Sequence, residues 1–407
     1  MRGTHIEKVI DARHGGSLKD WSVPLRMRQA PCKPNNDRHR TPATALDRRP
    51  QVKAMTEYRR LRRAIAGEAI SRDTVAVGIM ATDSILYVAA LLGFCLTPGP
   101  LRWIELFVAS IMAGALFLVG HDASHRALAA SPWLNALIAR LAFMPTLHPE
   151  TAWNIGHNQR HHGATNLRGV DHVWTPWSPQ EYRSATRVRR ALYRFYRTPL
   201  GIGFYYSFEL WWGHVWNSDH LDRSYAANAR MTADKFIALA GFGLIYLGCF
   251  GVCAARGQAW TAAGFNALAA VIVPLVVYQY LMSITIFMHH THPRIRWFPS
   301  RELYDPVAAQ VLNTVHIRLP KPVELIFHEI FQHTAHHVNP RVPLYRLARA
   351  QRTLEAVHGP AIIQETFSIA YVLRLLRECQ LYDYDAHRWL TIAEGLTIPD
   401  AKLRASA

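Results

Sequence analysis

Two apolar stretches in the first third of the chain decide its fold. Residues 74–96 read TVAVGIMATDSILYVAALLGFCL and residues 101–120 read LRWIELFVASIMAGALFLVG, with only the tetrapeptide TPGP (97–100) between them. Roughly 20 apolar residues are enough for an α-helix to cross the hydrocarbon core of a bilayer. A second pair, at 236–255 and 260–288, repeats this arrangement. The sequence therefore predicts an all-α, polytopic membrane protein with four transmembrane helices in two hairpins, whose turns lie on the same side of the membrane.

Basic residues are distributed unevenly around these four stretches. The chain has 46 Lys and Arg against 29 Asp and Glu, and 13 of the basic residues lie between residues 121 and 235. In the short links at 97–100 and 256–259, the one basic residue is Arg256. Because loops rich in Lys and Arg stay on the cytoplasmic side, we expect residues 121–235 and 289–407 to form a helical cytoplasmic cap. Both termini should lie on that side too.

Composition narrows the class of protein further. Half of the residues are hydrophobic and 18% are charged, which is too apolar for a disordered polymer. A net charge of +17 is also typical of nucleic-acid-binding proteins, but here the basic residues follow membrane sidedness and no recognition motif is present. We therefore expect membrane lipids as partners, and no nucleic acid. The five cysteines are scattered and form no C-x-x-C pair, so no disulfide framework is predicted.

The first 54 residues differ from the rest of the chain. They contain 12 Lys and Arg against 5 Asp and Glu, are rich in Pro and Asn, and show no hydrophobic periodicity. No apolar segment follows the basic start, so they do not resemble a secretory signal peptide. We expect a basic, disordered tail over residues 1–54 and an integral-membrane domain over residues 55–407. A true start at Met55 instead of Met1 is an alternative.

Three clusters of histidine follow directly on apolar sequence. The first is HDASH (121–125), the second is HNQRHH (157–162) and the third is HTAHH (333–337). On an α-helix, side chains three or four residues apart share a face, so each cluster should present its imidazoles in one direction. Eight histidines are then candidate metal ligands: His121, His125, His157, His161, His162, His333, His336 and His337.

Eight imidazoles at this spacing indicate more than one metal ion. A catalytic zinc takes only three protein ligands, and imidazole also suits iron, copper and nickel. The carboxylate-bridged di-iron sites of helical bundles need two Glu-x-x-His motifs, whereas this chain has one, from Glu355 to His358. A membrane metal transporter without enzymatic activity is an alternative. A transporter would need polar residues along its helices. Asp83 is the one acid within residues 74–96, which counts against this alternative.

In combination, HDASH, HNQRHHGATN (157–166) and HTAHHV (333–338) resemble the three histidine boxes of the membrane fatty-acid desaturases. They are most similar to the branch that contains the acyl-lipid delta-12 and omega-3 enzymes. The segment HHTHP (289–293) is similar to one in which that branch carries a further histidine. The resemblance runs from about residue 70 to residue 355, and the three-box pattern is specific where one box alone is not.

The resemblance implies a di-iron centre whose protein ligands are all histidines. Ile286 departs from the pattern, because a related acyl-CoA group has an Asn ligand there. The iron that this Asn binds in the related group would therefore lack one ligand here, and His328 would either supply it or orient another ligand. Asp122 and Asp171 would accept hydrogen bonds from imidazole N–H groups. By match to the family's boxes, the iron ligands are His121, His125, His157, His161, His162, His333, His336 and His337, with His290 as a ninth.

The resemblance also implies a reaction. Two electrons and dioxygen would remove two hydrogens from neighbouring carbons of an acyl lipid or acyl-CoA, leaving a cis double bond of the delta-12/omega-6 type. No haem or iron–sulfur motif is present, so an external donor such as a ferredoxin or a flavoprotein reductase would supply the electrons. It would dock on the arginines at 183–197, which are equally suited to anionic lipids. Related di-iron hydroxylases, carotenoid ketolases and alkane monooxygenases are alternatives, because their boxes are similar.

Overall fold

The computed structural model describes residues 49–218, 221–222 and 224–398 of the chain. Most of these residues are helical, as the sequence predicts. Residues 1–48 of the expected tail lie outside the described residues, and the first helix begins at Arg49, within the stretch 1–54. In chain order the helices are α1 (Arg49–Ala64), α2 (Asp73–Leu96), α3 (Arg102–Ser124), α4 (Pro132–Phe143), α5 (Glu150–Asn154), α6 (Pro179–Ser184), α7 (Arg187–Phe195), α8 (Ile202–Tyr205), α9 (Tyr225–Ala255), α10 (Trp260–His290), α11 (Lys321–Ile326), α12 (His333–Val338), α13 (Leu347–His358), α14 (Ile369–Glu378) and α15 (Ile392–Thr397).

Short elements of other kinds link these helices. α5 and α8 continue without a break into π-helical turns, and the strands of the described residues pair only in twos. The π turns are Ile155–His161, Tyr206–Trp216 and Ala308–Leu312, and the 3₁₀ turns are Ala66–Glu68, Met144–Thr146, Leu344–Arg346 and Gly359–Ala361. The strand pairs are β1 (Val315–Arg318) parallel to β2 (Ile363–Thr366), with Val315 opposite Ile363, and β3 (Leu381–Asp383) antiparallel to β4 (Arg388–Leu390), with Leu381 opposite Leu390.

Four helices are long and apolar enough to cross a membrane. They are α2, α3, α9 and α10, of 24, 23, 31 and 31 residues, and they cover the four predicted spans. α9 begins at Tyr225, well before the predicted start at residue 236. Its early turns are held by polar contacts, since Asp234 accepts hydrogen bonds from Arg140 Nε and from the backbone N–H of Thr151, both at 2.9 Å. Hydropathy marks only the apolar part of a helix, so it missed this polar extension.

The spanning helices are apolar on their outer faces. Ile85 and Leu244 are 67% and 69% exposed, which suits contact with lipid better than contact with water. Inside, α3 packs against α2, α4 and α10. At Gly120 a Cβ would fall 2.6 Å from the ring of Phe143, so this close approach of α3 to α4 requires glycine. The contact fixes the end of α3 immediately before the first histidine cluster.

Candidate metal centre

Five histidines from all three sequence clusters converge at the end of α3. The Nε2 atom of His157 lies 3.0 Å from Nε2 of His121 and 3.1 Å from Nε2 of His162. The Nε2 atom of His162 lies 3.1 Å from that of His336. With His125, these rings bring one nitrogen each to within 4.8 Å of the others. We call these five side chains the five-histidine group.

Three further histidines form a second cluster beside the first. His161, His290 and His337 are buried and again bring one nitrogen each to within 4.8 Å of the others. We call them the three-histidine group. His333 stands next to it, because its Nε2 atom lies 2.9 Å from Nε2 of His290. The rings of His162 and His337 stack with centroids 4.2 Å apart, so the two groups adjoin.

A π-helical turn divides the second sequence cluster between the two groups. The spacing predicted that His157 and His161, four residues apart, share a helix face. In the wider π turn, the N–H of His162 bonds the carbonyl of His157 at 2.9 Å, so residues five apart come into register instead. His162 therefore joins His157, and His161 turns towards His290. The expectation of one shared face was wrong for this cluster.

The other two clusters lie on α-helical backbone. His121 and His125 are one turn apart at the end of α3, with ring centroids separated by 4.8 Å, and both belong to the five-histidine group. His336 and His337 are adjacent on α12, where successive side chains point about 100° apart. As a result, α12 supplies one ring to each group. A single expected face fails here as well, because His336 and His337 belong to different groups.

The electrostatic surroundings keep these imidazoles neutral. Burial lowers the pKa of His125, His157 and His162 well below its ordinary value of 6.5, and the neighbouring imidazoles lower it further. The same two causes lower the pKa of His336 to about 3, and burial likewise lowers the pKa of His337. Neutral imidazole is the form that binds metal. At pH 7 the rings are therefore ready to act as ligands.

Hydrogen bonds within the groups do not satisfy these nitrogens. Among the described residues, the buried Nε2 atoms of His125 and His337 have no hydrogen-bond partner. Nε2 of His157 faces two other ring nitrogens, and neutral rings cannot share protons among all three. Cations at these positions would accept the lone pairs that remain. The two sets of converging nitrogen donors therefore fit two ions of an imidazole-binding transition metal.

Polar side chains behind the rings fix the orientation of two of them. The Nδ1 atom of His161 donates to Asp171 Oδ1 at 3.0 Å, and Asp171 Oδ2 accepts from the backbone N–H of Asn166 at 2.7 Å. The Nδ1 atom of His337 donates to Gln310 Oε1 at 3.0 Å. Such outer partners set the tautomer of a metal-binding imidazole and raise its basicity. Sequence reasoning named Asp171 but missed Gln310, because no local pattern distinguishes a lone amide in a π turn.

Asp122 and His328, also named from the sequence, occupy other places. Asp122 Oδ2 accepts from the backbone N–H of Leu344 at 3.2 Å instead of from an imidazole, because adjacent positions on α3 face different ways. His328 has a φ of 50°, and this turns its ring towards α2, where its Nε2 atom lies 2.6 Å from Asp83 Oδ2. The structure therefore brings neither residue into the two histidine groups.

Comparison with known proteins gives the family. The family model described as fatty acid desaturase matches residues 98–364. The chain belongs to the fatty acid desaturase family. An "sn-1 oleoyl-lipid 12-desaturase" of Synechocystis is 30% identical over 79% of this chain and 84% of the relative. One of Picosynechococcus is 28% identical over 76% and 86%, and an "Omega-6 fatty acid desaturase, chloroplastic" of Glycine max is 28% identical over 70% and 62%.

An apolar channel runs beside both histidine groups of the desaturase. Phe117, Leu118 and Met282 line it together with ring edges from both groups, and its volume is ≈ 80 Å³. A smaller cavity shares Leu118 and Met282, and Phe327 also lines it. Ile286, at the position where the related acyl-CoA group has an Asn ligand, also lines the channel. The metal-facing nitrogens of the desaturase are thus accessible from an apolar space.

Aromatic packing holds the remaining rings. Trp153 stacks on His157 with centroids 4.3 Å apart, and His289 stacks on His333 at 3.9 Å. Both Trp153 and His289 also line the channel of the desaturase. No sequence pattern pointed to Trp153, although it lies four residues before His157 and one turn of helix would bring the two rings together.

Proposed function

We propose that this chain is a membrane desaturase that introduces a cis double bond, of the delta-12/omega-6 type, into a fatty acyl chain of a membrane lipid. The observation that carries the proposal is the meeting of two converging histidine groups with one apolar channel. The names of the relatives, oleoyl-lipid 12-desaturase and omega-6 fatty acid desaturase, support the substrate and the position of the double bond.

The five-histidine and three-histidine groups would each hold one iron, with His333 beside the second. When bound, the irons supply the activation of dioxygen that removal of hydrogen from an unactivated methylene requires. Asp171 and Gln310 hold His161 and His337 in the tautomer that leaves the other ring nitrogen free to bind metal. These contacts fix the orientation of two rings of the three-histidine group, of which His161 lines the channel.

The channel would position the acyl chain and exclude water. Phe117, Leu118 and Met282 give it apolar walls, so burying methylene groups there is favourable at about 25 cal/mol for each Å². Beside the channel lies a polar cavity of ≈ 420 Å³, which shares His172 and His214 with it. This cavity would receive the polar end of the lipid. Held in this way, two neighbouring carbons lose one hydrogen each, and with two electrons and two protons these hydrogens reduce dioxygen to two waters.

The electrons would come from a separate protein, a ferredoxin or a flavoprotein reductase. The arginines at 183–197 offer it less surface than the sequence indicated. Arg183 donates to the carbonyls of Gly395 and Leu396 at 2.9 and 3.0 Å, and Arg197 is buried with its guanidinium 4.9 Å from the ring centroid of Trp174. Arg187 is exposed and would contribute to a basic docking face for an acidic donor.

The four spanning helices would form two hairpins, α2 with α3 and α9 with α10. Short links join the members of each pair, and the members pack against each other. The distribution of Lys and Arg supports a cytoplasmic cap over residues 121–235 and 289–407, with both termini on that side. Residues 55–407 would then make up one desaturase domain, and its metal centre would lie at the cytoplasmic boundary of the membrane.

Expression in a host with a simple fatty-acid profile tests the proposal. Together with a ferredoxin and its reductase, the chain should produce a new double bond, which mass spectrometry of the lipids locates. The His161→Ala variant is the matched control and should produce none. Purified protein should contain about two irons per chain, as expected for two nitrogen-rich sites.

Two outcomes would contradict the proposal. An unchanged lipid profile with donors supplied would exclude desaturation of these lipids, and an active His161→Ala variant would exclude the three-histidine group as the site. New hydroxyl or keto groups in place of double bonds would assign the chain to another reaction of the same superfamily.

A further inference from the structure

Asp83 is an acid in the middle of a spanning helix. It is 5% exposed and lies ten residues into α2, about 15 Å along the helix from its first residue. Ionisable side chains at such depth are costly, so they are paired and serve a function. The partner of Asp83 is His328, whose Nε2 atom lies 2.6 Å from Asp83 Oδ2. No part of the metal centre described above uses this pair.

His328 belongs to residues 321–332, which we call the inserted segment. Leu325 and Ile326 of this segment are 58% and 44% exposed, as expected of side chains that face lipid. His328 and Glu329 have φ angles of 50° and 59°, a left-handed region that residues other than glycine rarely adopt. Such strain persists where the surrounding structure imposes it, and it gathers at functional sites. The pairing of His328 with Asp83 lies directly at this strained turn.

The other side of the inserted segment lines the apolar channel. Ile330 lines both the channel and the smaller cavity that adjoins it. Phe327 lines that cavity too, with its ring 3.9 Å from the position of a Cβ at Gly114. His333 follows Ile330 by three residues and lies next to His290. One short segment therefore joins the contact with Asp83 of α2, the wall of the smaller cavity and a candidate iron ligand.

We propose that Asp83 and His328 are positioning residues that fix the inserted segment, and that Phe327 is the stop for the methyl end of the acyl chain. The inference rests on the desaturase function proposed above. The distance from Phe327 to the histidine groups then determines which carbons of the chain reach the metals. A shorter side chain at the stop lets the acyl chain slide deeper, which brings carbons nearer the carboxyl end to the site.

Double-bond location in phosphatidylcholine that carries an oleoyl chain tests this proposal. In Phe327→Ala, the new double bond should move one or two carbons towards the carboxyl end, and each methylene of added space should change the isomer ratio about fourfold. In Asp83→Ala, the product should become a mixture of positions, because the stop is no longer held. Asp83→Asn should restore the single position, since its amide oxygen still accepts from His328. Leu325→Ala, on the lipid side of the same segment, is the matched control and should give the wild-type product.

The outcomes separate this proposal from the proposed function. A wild-type chain that forms no double bond overturns the function, whereas active Phe327→Ala and Asp83→Ala variants with an unchanged position overturn the stop. A changed position in Leu325→Ala also overturns it, because any disturbance of the segment would then have the same effect. If Asp83→Ala does not fold, Phe327→Ala still decides. Native mass spectrometry adds a readout without turnover, in which Phe327→Ala should retain phosphatidylcholine with a twenty-carbon chain in preference to the wild-type length.

Discussion

The two histidine groups are built from the same kind of side chain but are supported differently. In the five-histidine group, the rings contact one another, and Trp153 stacks on His157 at 4.3 Å. In the three-histidine group, His161 and His337 each donate to a polar side chain at 3.0 Å, namely Asp171 and Gln310. The first group thus has more donors than a four-coordinate ion needs, whereas the second has three donors, two of which depend on hydrogen bonds for their orientation.

This difference indicates how each group should respond to damage. A site with a spare donor tolerates the loss of one ring, but a site with three donors does not. A ring held by a carboxylate loses its tautomer and orientation when that carboxylate is removed, whereas a ring held by aromatic packing does not depend on one hydrogen bond. The three-histidine group is therefore expected to be the more sensitive of the two.

The largest expected effect is the loss of a ring from the three-histidine group. His161→Ala leaves only His290 and His337 of the three, with His333 beside them, and the metal content should fall from about two ions per chain to about one. Activity should fall more than about 100-fold, since loss of an outer partner alone costs 10- to 100-fold. Metal analysis and double-bond formation, measured on the same preparation, check this.

His125→Ala in the five-histidine group is the comparison variant. Four imidazoles remain, so the chain should keep about two ions and a measurable share of its activity. Equal metal loss in the two variants would show that the groups do not differ in the number of donors they can spare.

The next effect concerns the two aspartates that the sequence named together. Asp171→Asn keeps only one of two accepting oxygens, so it cannot accept from both His161 Nδ1 and the backbone N–H of Asn166, and metal affinity at one site should drop about 10- to 100-fold. Asp122→Asn should change it by less than about threefold, because an amide oxygen still accepts from the N–H of Leu344. Metal titration of both variants separates the two roles. A comparable loss in Asp122→Asn would mean that sequence proximity to the ligands matters more than the contact.

Sequence patterns predicted the parts of the molecule that depend on composition along one helix. The four spans needed only apolar runs, and α2 begins one residue before the predicted 74–96. The histidine clusters could be found because their members are close in sequence. Their division between two groups could not, since it depends on the π turn after α5, whose register is set by packing.

Contacts between distant residues were also beyond the sequence patterns. The pairing of His328 with Asp83 joins residues 245 positions apart, and that of Gln310 with His337 joins a π turn to α12. Both arise from the tertiary arrangement of helices. Asp83 did stand out as an acid in an apolar run, so the cost of burying a charge marked the need for a partner but not its identity.

A third prediction uses the proton affinity of buried histidines in the metal-free protein. Burial lowers the pKa of His336, and of His148 outside both groups, to about 3. Below pH 6.5 the unfolded chain binds protons that the folded chain excludes, so stability should fall as the pH falls. The loss should approach about 1.4 kcal/mol per pH unit for each histidine. Chemical unfolding of metal-free protein between about pH 7 and pH 5 checks this, and a flat or rising stability would contradict it.

Bound metal should affect the protonation of His336 but not that of His148. Bound metal holds His336 deprotonated and competes with protons for it, so the metal-loaded protein should lose its ions over the same pH range. His148 bonds the carbonyl of Thr146 at 2.7 Å and Tyr206 Oη at 2.9 Å and is not part of either group. In His148→Gln, the stability of the metal-free protein should therefore depend less on pH. The pH at which metal is released should stay that of the wild type.

The smallest effect is expected at Gln310, the neutral partner of the three-histidine group. Gln310→Leu removes the acceptor at 3.0 Å from His337 Nδ1, but Thr165 Oγ1 remains 3.4 Å away and offers a weaker bond. A neutral hydrogen bond contributes less than one to a carboxylate, so metal affinity should fall about tenfold at most, less than in Asp171→Asn. Gln310→Glu keeps an acceptor and should bind metal at least as well as the wild type. If instead Gln310→Leu loses more metal than Asp171→Asn, the amide and not the carboxylate is the main support of this group. Metal binding by the three-histidine group would then depend most on the orientation of His337 on α12.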